Sequence, residues 1–234
     1  MMEQFNILIN SFRTIILLVI VSFSLPLKGQ TTSSGTSPQF LFPSFDTGIV
    51  RMKNGLSQSM QLNYNTVSEK IVYEKGNEVY DLINLAMIDA VLIHEQMFVP
   101  VGKIFHEVLL IAPIPLLVQY KGEIMAPGKD VGFGSKSLVS SVEILTSVKL
   151  SMGYFNLKLP VDYSVKIEKL YLTGRDGNSV SFMNEKQFLK IFPDKESELK
   201  SFIKQKHIRF DRSTDVKTLV KYCNELYPPA IRIS

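Results

Sequence analysis

The first place in this sequence where residue types could do chemistry is Gly128-Lys129-Asp130-Val131-Gly132-Phe133-Gly134-Ser135-Lys136-Ser137. A phosphate-binding loop sets one glycine directly before its Lys-Ser pair and another five residues earlier, so that backbone N–H groups can cradle phosphate oxygens. Here those two positions hold Ser135 and Asp130. No helical periodicity follows Gly134, so a dinucleotide fingerprint is missing as well. The stretch reads as a loop between strands.

Histidine offers the next candidates. His94-Glu95 and His106-Glu107 repeat one dipeptide. Neither histidine has a second at i+4, so the zinc-protease helix motif is absent. Zinc needs three or four convergent ligands. The two pairs could supply them only if Phe98 to Ile111 folds back far enough to bring them together. Polar positions near strand ends account for both pairs without a metal. Cys223 with His207 as base would make a nucleophile, but Cys223 lies in an apolar helical stripe and reads as a small buried hydrophobe. Asp46, Asp89 and Asp162 flank strands, where turn and cap roles suffice. Tyr64, Tyr73, Tyr80 and Tyr154 fit strand alternation. No serine stands in a G-x-S-x-G elbow. The sequence therefore assigns no catalytic, cofactor-binding or metal-ligating residue.

The elements that would position any site are legible. Ile49 to Lys53 and Met60 to Tyr64 alternate around Asn54-Gly55, which predicts a hairpin with a type I′ turn. Lys70 to Glu74 and Glu78 to Tyr80 flank Lys75-Gly76-Asn77 and predict a second. Ile88 to Ile93, Phe98 to Val101, Ile104 to Ile111 and Leu116 to Lys121 continue the series. Residues 126–137 interrupt it. Leu138 to Thr146, Val148 to Leu159 and Tyr163 to Thr173 resume it, and Arg175-Asp176-Gly177-Asn178 turns into Val180 to Phe182. After Met183 the period becomes helical. Asn184 with Gln187 reads as a capping box, Pro193 as a stop, Asp194 as the next cap and Ser213 or Thr214 as a third start. Val216, Leu219, Val220, Cys223 and Leu226 form one apolar stripe. The expected fold is α+β: an antiparallel β meander, closing as a sandwich or small barrel, with a short C-terminal helical section.

Several of these segments also carry a resemblance. Gly48 to Gly55, then Leu62-Asn63-Tyr64-Asn65, the later Phe98-Val99-Pro100 and the helical tail from Phe188 to Tyr222 resemble a recurrent pattern in exported β-rich proteins of Bacteroidota, a group of hypothetical secreted or periplasmic proteins. The resemblance covers most of the chain after residue 29. Its motifs are structural, so it implies export and a β-rich fold and transfers no active-site residue.

Export is also read from the residues. Ile15 to Leu25 form a run of 11 residues, apolar apart from two serines, behind Arg13, closed by Pro26 and followed by Leu27-Lys28-Gly29. A spanning helix needs about 20 apolar residues. The layout is that of a cleavable secretory signal over residues 1–29. Residues 30–44 then read as a flexible linker, 45–183 as the β-rich domain, 184–227 as the helical section and 228–234 as a tail. Cys223 is the only cysteine, which excludes an internal disulfide and offers no lipid site near the cut. After cleavage, 24 basic residues against 21 acidic leave +3. Residues 184–234 hold 11 basic against 7 acidic residues, a bias that solvated helix faces explain and that falls short of a nucleic-acid signature. The expectation is an exported, periplasmic or extracellular protein, most simply a non-enzymatic binding or scaffolding module. Its partner would be an envelope protein or glycan, with no nucleic acid and no integral membrane segment after cleavage. An envelope hydrolase without a linear motif and an outer-membrane barrel are the alternatives.

Overall fold

The computed structural model describes residues 37–76, 78–125, 129–130, 136–137, 159, 163–175 and 178–228. All lie in the unit formed by Thr36–Ser234. Residues 1–29, where a signal is expected, Asp162, Tyr154 and the runs over 138–158 fall outside the described residues.

Ten strands form one antiparallel sheet. They are β1 (Asp46–Met52), β2 (Ser57–Asn65), β3 (Lys70–Lys75), β4 (Glu78–Asp81), β5 (Ile88–Ile93), β6 (Gln96–Val101), β7 (Ile104–Leu110), β8 (Leu116–Met125), β11 (Ser164–Arg175) and β12 (Asn178–Phe182). Two short strands, β9 (Lys129–Asp130) and β10 (Lys136–Ser137), pair separately within the glycine-rich loop. The spatial order is β12-β11-β8-β7-β6-β5-β1-β2-β3-β4. The meander is therefore present, with one return: β5 pairs with β1, not with β4. The expected closure is absent. Among the described residues β12 and β4 end the sheet and do not pair with each other. A spanning barrel needs a closed ladder, and among the described residues this sheet is open.

The first hairpin differs from expectation in its turn. Gly55 has φ +88, whereas Asn54 is not in the positive-φ region. Gly55 N–H donates to Met52 O at 2.9 Å and Met52 N–H to Leu56 O at 2.8 Å. That is a three-residue loop with a left-handed glycine as its bulge, and it still aligns Arg51 with Ser57.

Curling of the sheet does part of what closure would do. Phe105 and Glu107 turn their main-chain groups toward β8, but β7 and β8 pair only from Glu107–Val118 onward. Below that point the two strands split, and the β2–β3 turn enters the gap. Phe105 N–H donates to Glu69 O at 3.4 Å, and Gly122 N–H to Thr66 O at 2.8 Å. The Tyr64 hydroxyl lies 3.2 Å from Phe105 O and 3.3 Å from Tyr120 O. A Cβ on Gly122 would stand 2.4 Å from Thr66 Oγ1, so only glycine allows this approach. The turn thus occupies the place of ladder bonds that β7 and β8 forgo.

The concave face holds the core: Val50, Leu62, Tyr64, Ile71, Phe98, Phe105, Val118 and Tyr171 are all buried. Residues 39–42 already belong to the fold, since Leu41 N–H donates to Tyr64 O and Phe42 N–H to Asn63 Oδ1. Three helices cover one end of this face: α1 (Glu185–Leu189), α2 (Glu196–Lys206) and α3 (Ser213–Leu226). Asn184 caps α1 through Gln187 N–H as expected. Asp194 does not cap α2; its carboxylate accepts from the Tyr227 hydroxyl at 2.6 Å. Phe182 meets Phe188 at 5.0 Å. Asn224 exchanges two bonds with the main chain of Ile114, fixing α3 to the β7–β8 connection.

Candidate functional site

The return from β4 to β5 creates the site. Moving from β4 to β5 crosses four inter-strand steps, about 19 Å. The connection Leu82–Met87 is not extended, since Asn84 has φ 60 and Leu85–Met87 form a short 3-10 turn, so it bridges the two strands only because the curled sheet brings them closer than that flat spacing. Leu82 is buried and Leu85 packs on the core, so the connection crosses the concave face. Lys53 N–H holds it by donating to Met87 O at 2.9 Å. Between this strap and the hairpins lies a groove of about 520 Å³. Val50, Met52, Met60, Tyr73, Leu82 and Ile88 give it apolar walls, and Gln58, Glu74, Lys75 and Asn84 a polar rim. Ile83, 69% exposed, stands at its mouth. The volume falls within the range of small-ligand sites, which combine such walls with few polar groups.

The groove opens beside a free edge. Lys75 pairs with Glu78 and Tyr73 with Tyr80, and Leu82 N–H donates to Ile71 O at 2.9 Å. Antiparallel alternation then turns the main-chain groups of Val79, Asp81 and Ile83 outward. No described strand pairs there.

A second polar feature lies inside the core. Glu107 is 7% exposed and accepts from the Tyr120 hydroxyl. Burial raises the Tyr120 and Tyr64 phenols well above their ordinary range, and the negative charges of Glu107 and Glu69 respectively add to it. Both therefore stay neutral donors. On the opposite face of β7, His106 is also 7% exposed, and its Nδ1 has no hydrogen-bond partner among the described residues. Burial lowers its pKa, so the imidazole is neutral. The nearby Glu69 carboxylate accepts from Gln119.

The residues singled out in the sequence do not assemble. His94 and Glu95 form the exposed β5–β6 turn, with His94 Nε2 3.1 Å from Asp46 Oδ2. His106 aligns with Val99 in mid-strand, several residues from that turn, and His106 and Glu107 face opposite ways. Among the described residues no three His, Cys, Asp or Glu side chains converge on a metal position. Asp89 pairs with Arg51 at 2.6 Å on the surface. Cys223 is fully buried, which pushes its thiol up to about 12. His207 ends α2 in a left-handed conformation and is exposed. Tyr73 and Tyr80 stack at 5.4 Å. Of the glycine-rich loop, Lys129–Asp130 pairs with Lys136–Ser137, and the rest lies outside the described residues.

Sequence reasoning missed the groove. The alternation that put Val50, Met52 and Met60 on one face was visible. The path of Leu82–Met87 across that face was not, because strand order is not written in local pattern.

Among the described residues no helix is long and apolar enough to cross a membrane. No protein-family model, curated protein or solved structure matches the chain.

Proposed function

We propose that this protein is an exported cell-envelope module that works by binding, without catalysing a reaction. The concave groove of about 520 Å³ carries this reading. It joins apolar walls to a polar rim, and Ile83 keeps apolar surface in water at its mouth. The apolar run over Ile15 to Leu25 supports export. The partner class is an envelope protein or glycan presenting an apolar element to the groove.

The test is titration of the mature chain, residues 30–234, with N-phenyl-1-naphthylamine, whose fluorescence rises in apolar sites. Saturable binding is expected, with Ile83→Glu at least tenfold weaker. Ile83 is exposed, so this substitution leaves the core untouched. Lack of saturable binding by the unaltered chain refutes the reading. Turnover on glycan, peptide or ester substrates would replace it with an envelope hydrolase.

A further inference from the structure

We infer that the partner is an extended polypeptide strand that pairs with β4 and seats an apolar side chain in the groove. This rests on the binding reading above and names its occupant.

Three observations carry it. First, Val79, Asp81 and Ile83 present outward main-chain groups in an unbroken alternation. Such a ladder is a template for one more strand, and added strands gain affinity from main-chain bonds and specificity from pockets for alternate side chains. Second, although the edge is short and carries Glu78 and Asp81, Glu78-Val79-Tyr80-Asp81 contains no proline, lysine or bulge of the kind that blocks an added strand, and it pairs with β3 without a register shift. Third, edge and groove are continuous, because Leu82, Ile83 and Asn84 follow directly from β4 and line the groove. A strand paired along β4 is led to the groove mouth.

Charge selects the occupant. β4 itself carries Glu78 and Asp81 and no basic residue; on β3 behind it Lys70 holds Asp81 and Lys75 stands opposite Glu78. A second copy of the chain would set this acidic edge against itself, which like-charge repulsion disfavours. A strand with apolar alternation and basic flanks fits both groove and rim.

A nine-residue peptide alternating valine and threonine, with lysine at each end, is the probe. The mature chain is titrated with it by calorimetry, and amide hydrogen exchange is followed by NMR. Strand pairing predicts saturable binding and at least tenfold slower exchange at the Val79, Asp81 and Ile83 amides. Methylating the peptide's alternate backbone nitrogens should cost at least tenfold in affinity while leaving its side chains intact. Val79→Pro removes an outward donor and no β3–β4 bond, as proline permits on an edge, and should weaken binding similarly. If that variant misfolds, exchange on the unaltered chain decides. Naphthylamine binding without edge protection by the peptide overturns this inference and leaves the binding reading standing. Equal affinity for the methylated peptide also overturns it. Protection of the same amides by concentration-dependent dimerisation overturns it in favour of a second copy. Failure of both probes overturns both readings.

Discussion

The joint between the β2–β3 turn and the β7–β8 split can be tested by removing one oxygen atom. Tyr64→Phe keeps the buried ring, which stacks on Phe98 at 5.6 Å, and deletes the hydroxyl. One phenolic proton is shared between Phe105 O at 3.2 Å and Tyr120 O at 3.3 Å. Its loss removes about one net hydrogen bond and leaves two buried carbonyls short of a donor, for a cost of about 1–2 kcal/mol. In a chain of this size each kcal/mol lowers the melting point by about 2–4 °C. The predicted fall is therefore about 2–8 °C, measured by thermal and urea unfolding. Amide exchange should quicken at Phe105 and Gly122, whose N–H groups hold the turn. Gly122→Ala strikes the same joint through Thr66, so the double variant should be non-additive by at least 0.5 kcal/mol. A cost below about 0.3 kcal/mol for Tyr64→Phe, with unchanged exchange and strict additivity, would show that the turn is held by something other than this hydroxyl.

Other predictions follow from the buried groups. Tyr64, Tyr120 and Tyr171 all have phenols raised by burial; the unfolded chain ionises first, so stability is full below about pH 10 and falls above it by up to roughly 1.4 kcal/mol per pH unit per tyrosine, read by urea titrations across pH 9–11. His106 has the opposite sign of effect: its folded pKa lies below the unfolded value, so stability is full above about pH 6.5 and is lost as pH falls toward the folded pKa. His106→Gln should flatten that acid limb, and an unchanged slope would count against it. Cys223 should resist dithionitrobenzoate in the native state at pH 8 and react at full rate only in denaturant. Asn224→Ala removes two bonds to Ile114 and should cost about 2–3 kcal/mol in urea unfolding; a loss under about 0.5 kcal/mol would mean α3 docks by its apolar stripe alone.

Much of the fold was written locally. Alternation at Ile88–Ile93 and Ile104–Leu110, and glycines with positive φ at Gly55, Gly76 and Gly102, place strands and turns by rules that act over a few residues. Asn184 with Gln187 did the same for α1. What was not legible depends on partners distant in sequence. Asp194 looked like a cap because nothing local reveals that Tyr227 reaches its carboxylate. Glu107 looked like a surface residue because its burial depends on Tyr120 and on the split that sets them side by side. The site was the least legible part. Its walls come from β1, β2 and β3, and its closing strap from a connection whose course only the β1–β5 pairing determines.

That pairing has a further consequence, for the time course of folding. β1–β2, β3–β4, β5–β6 and β6–β7 are each joined by short turns, and hairpins of this kind form within microseconds. The ladder between β1 and β5 instead joins Gly48 to Ile93 and encloses both early hairpins in its loop. Such high-contact-order steps pay loop closure before contacts repay it, and they set the slow rate of β-rich chains. Until β5 arrives, β1 exposes a second raw edge containing Ile49 and Val50, and it competes for pairing with any neighbouring chain. Segments beyond Ile93 are needed before the first strand in the sequence is secure. An N-terminal fragment ending before Ile88 should therefore aggregate, whereas one that includes β5 should remain dispersed for longer.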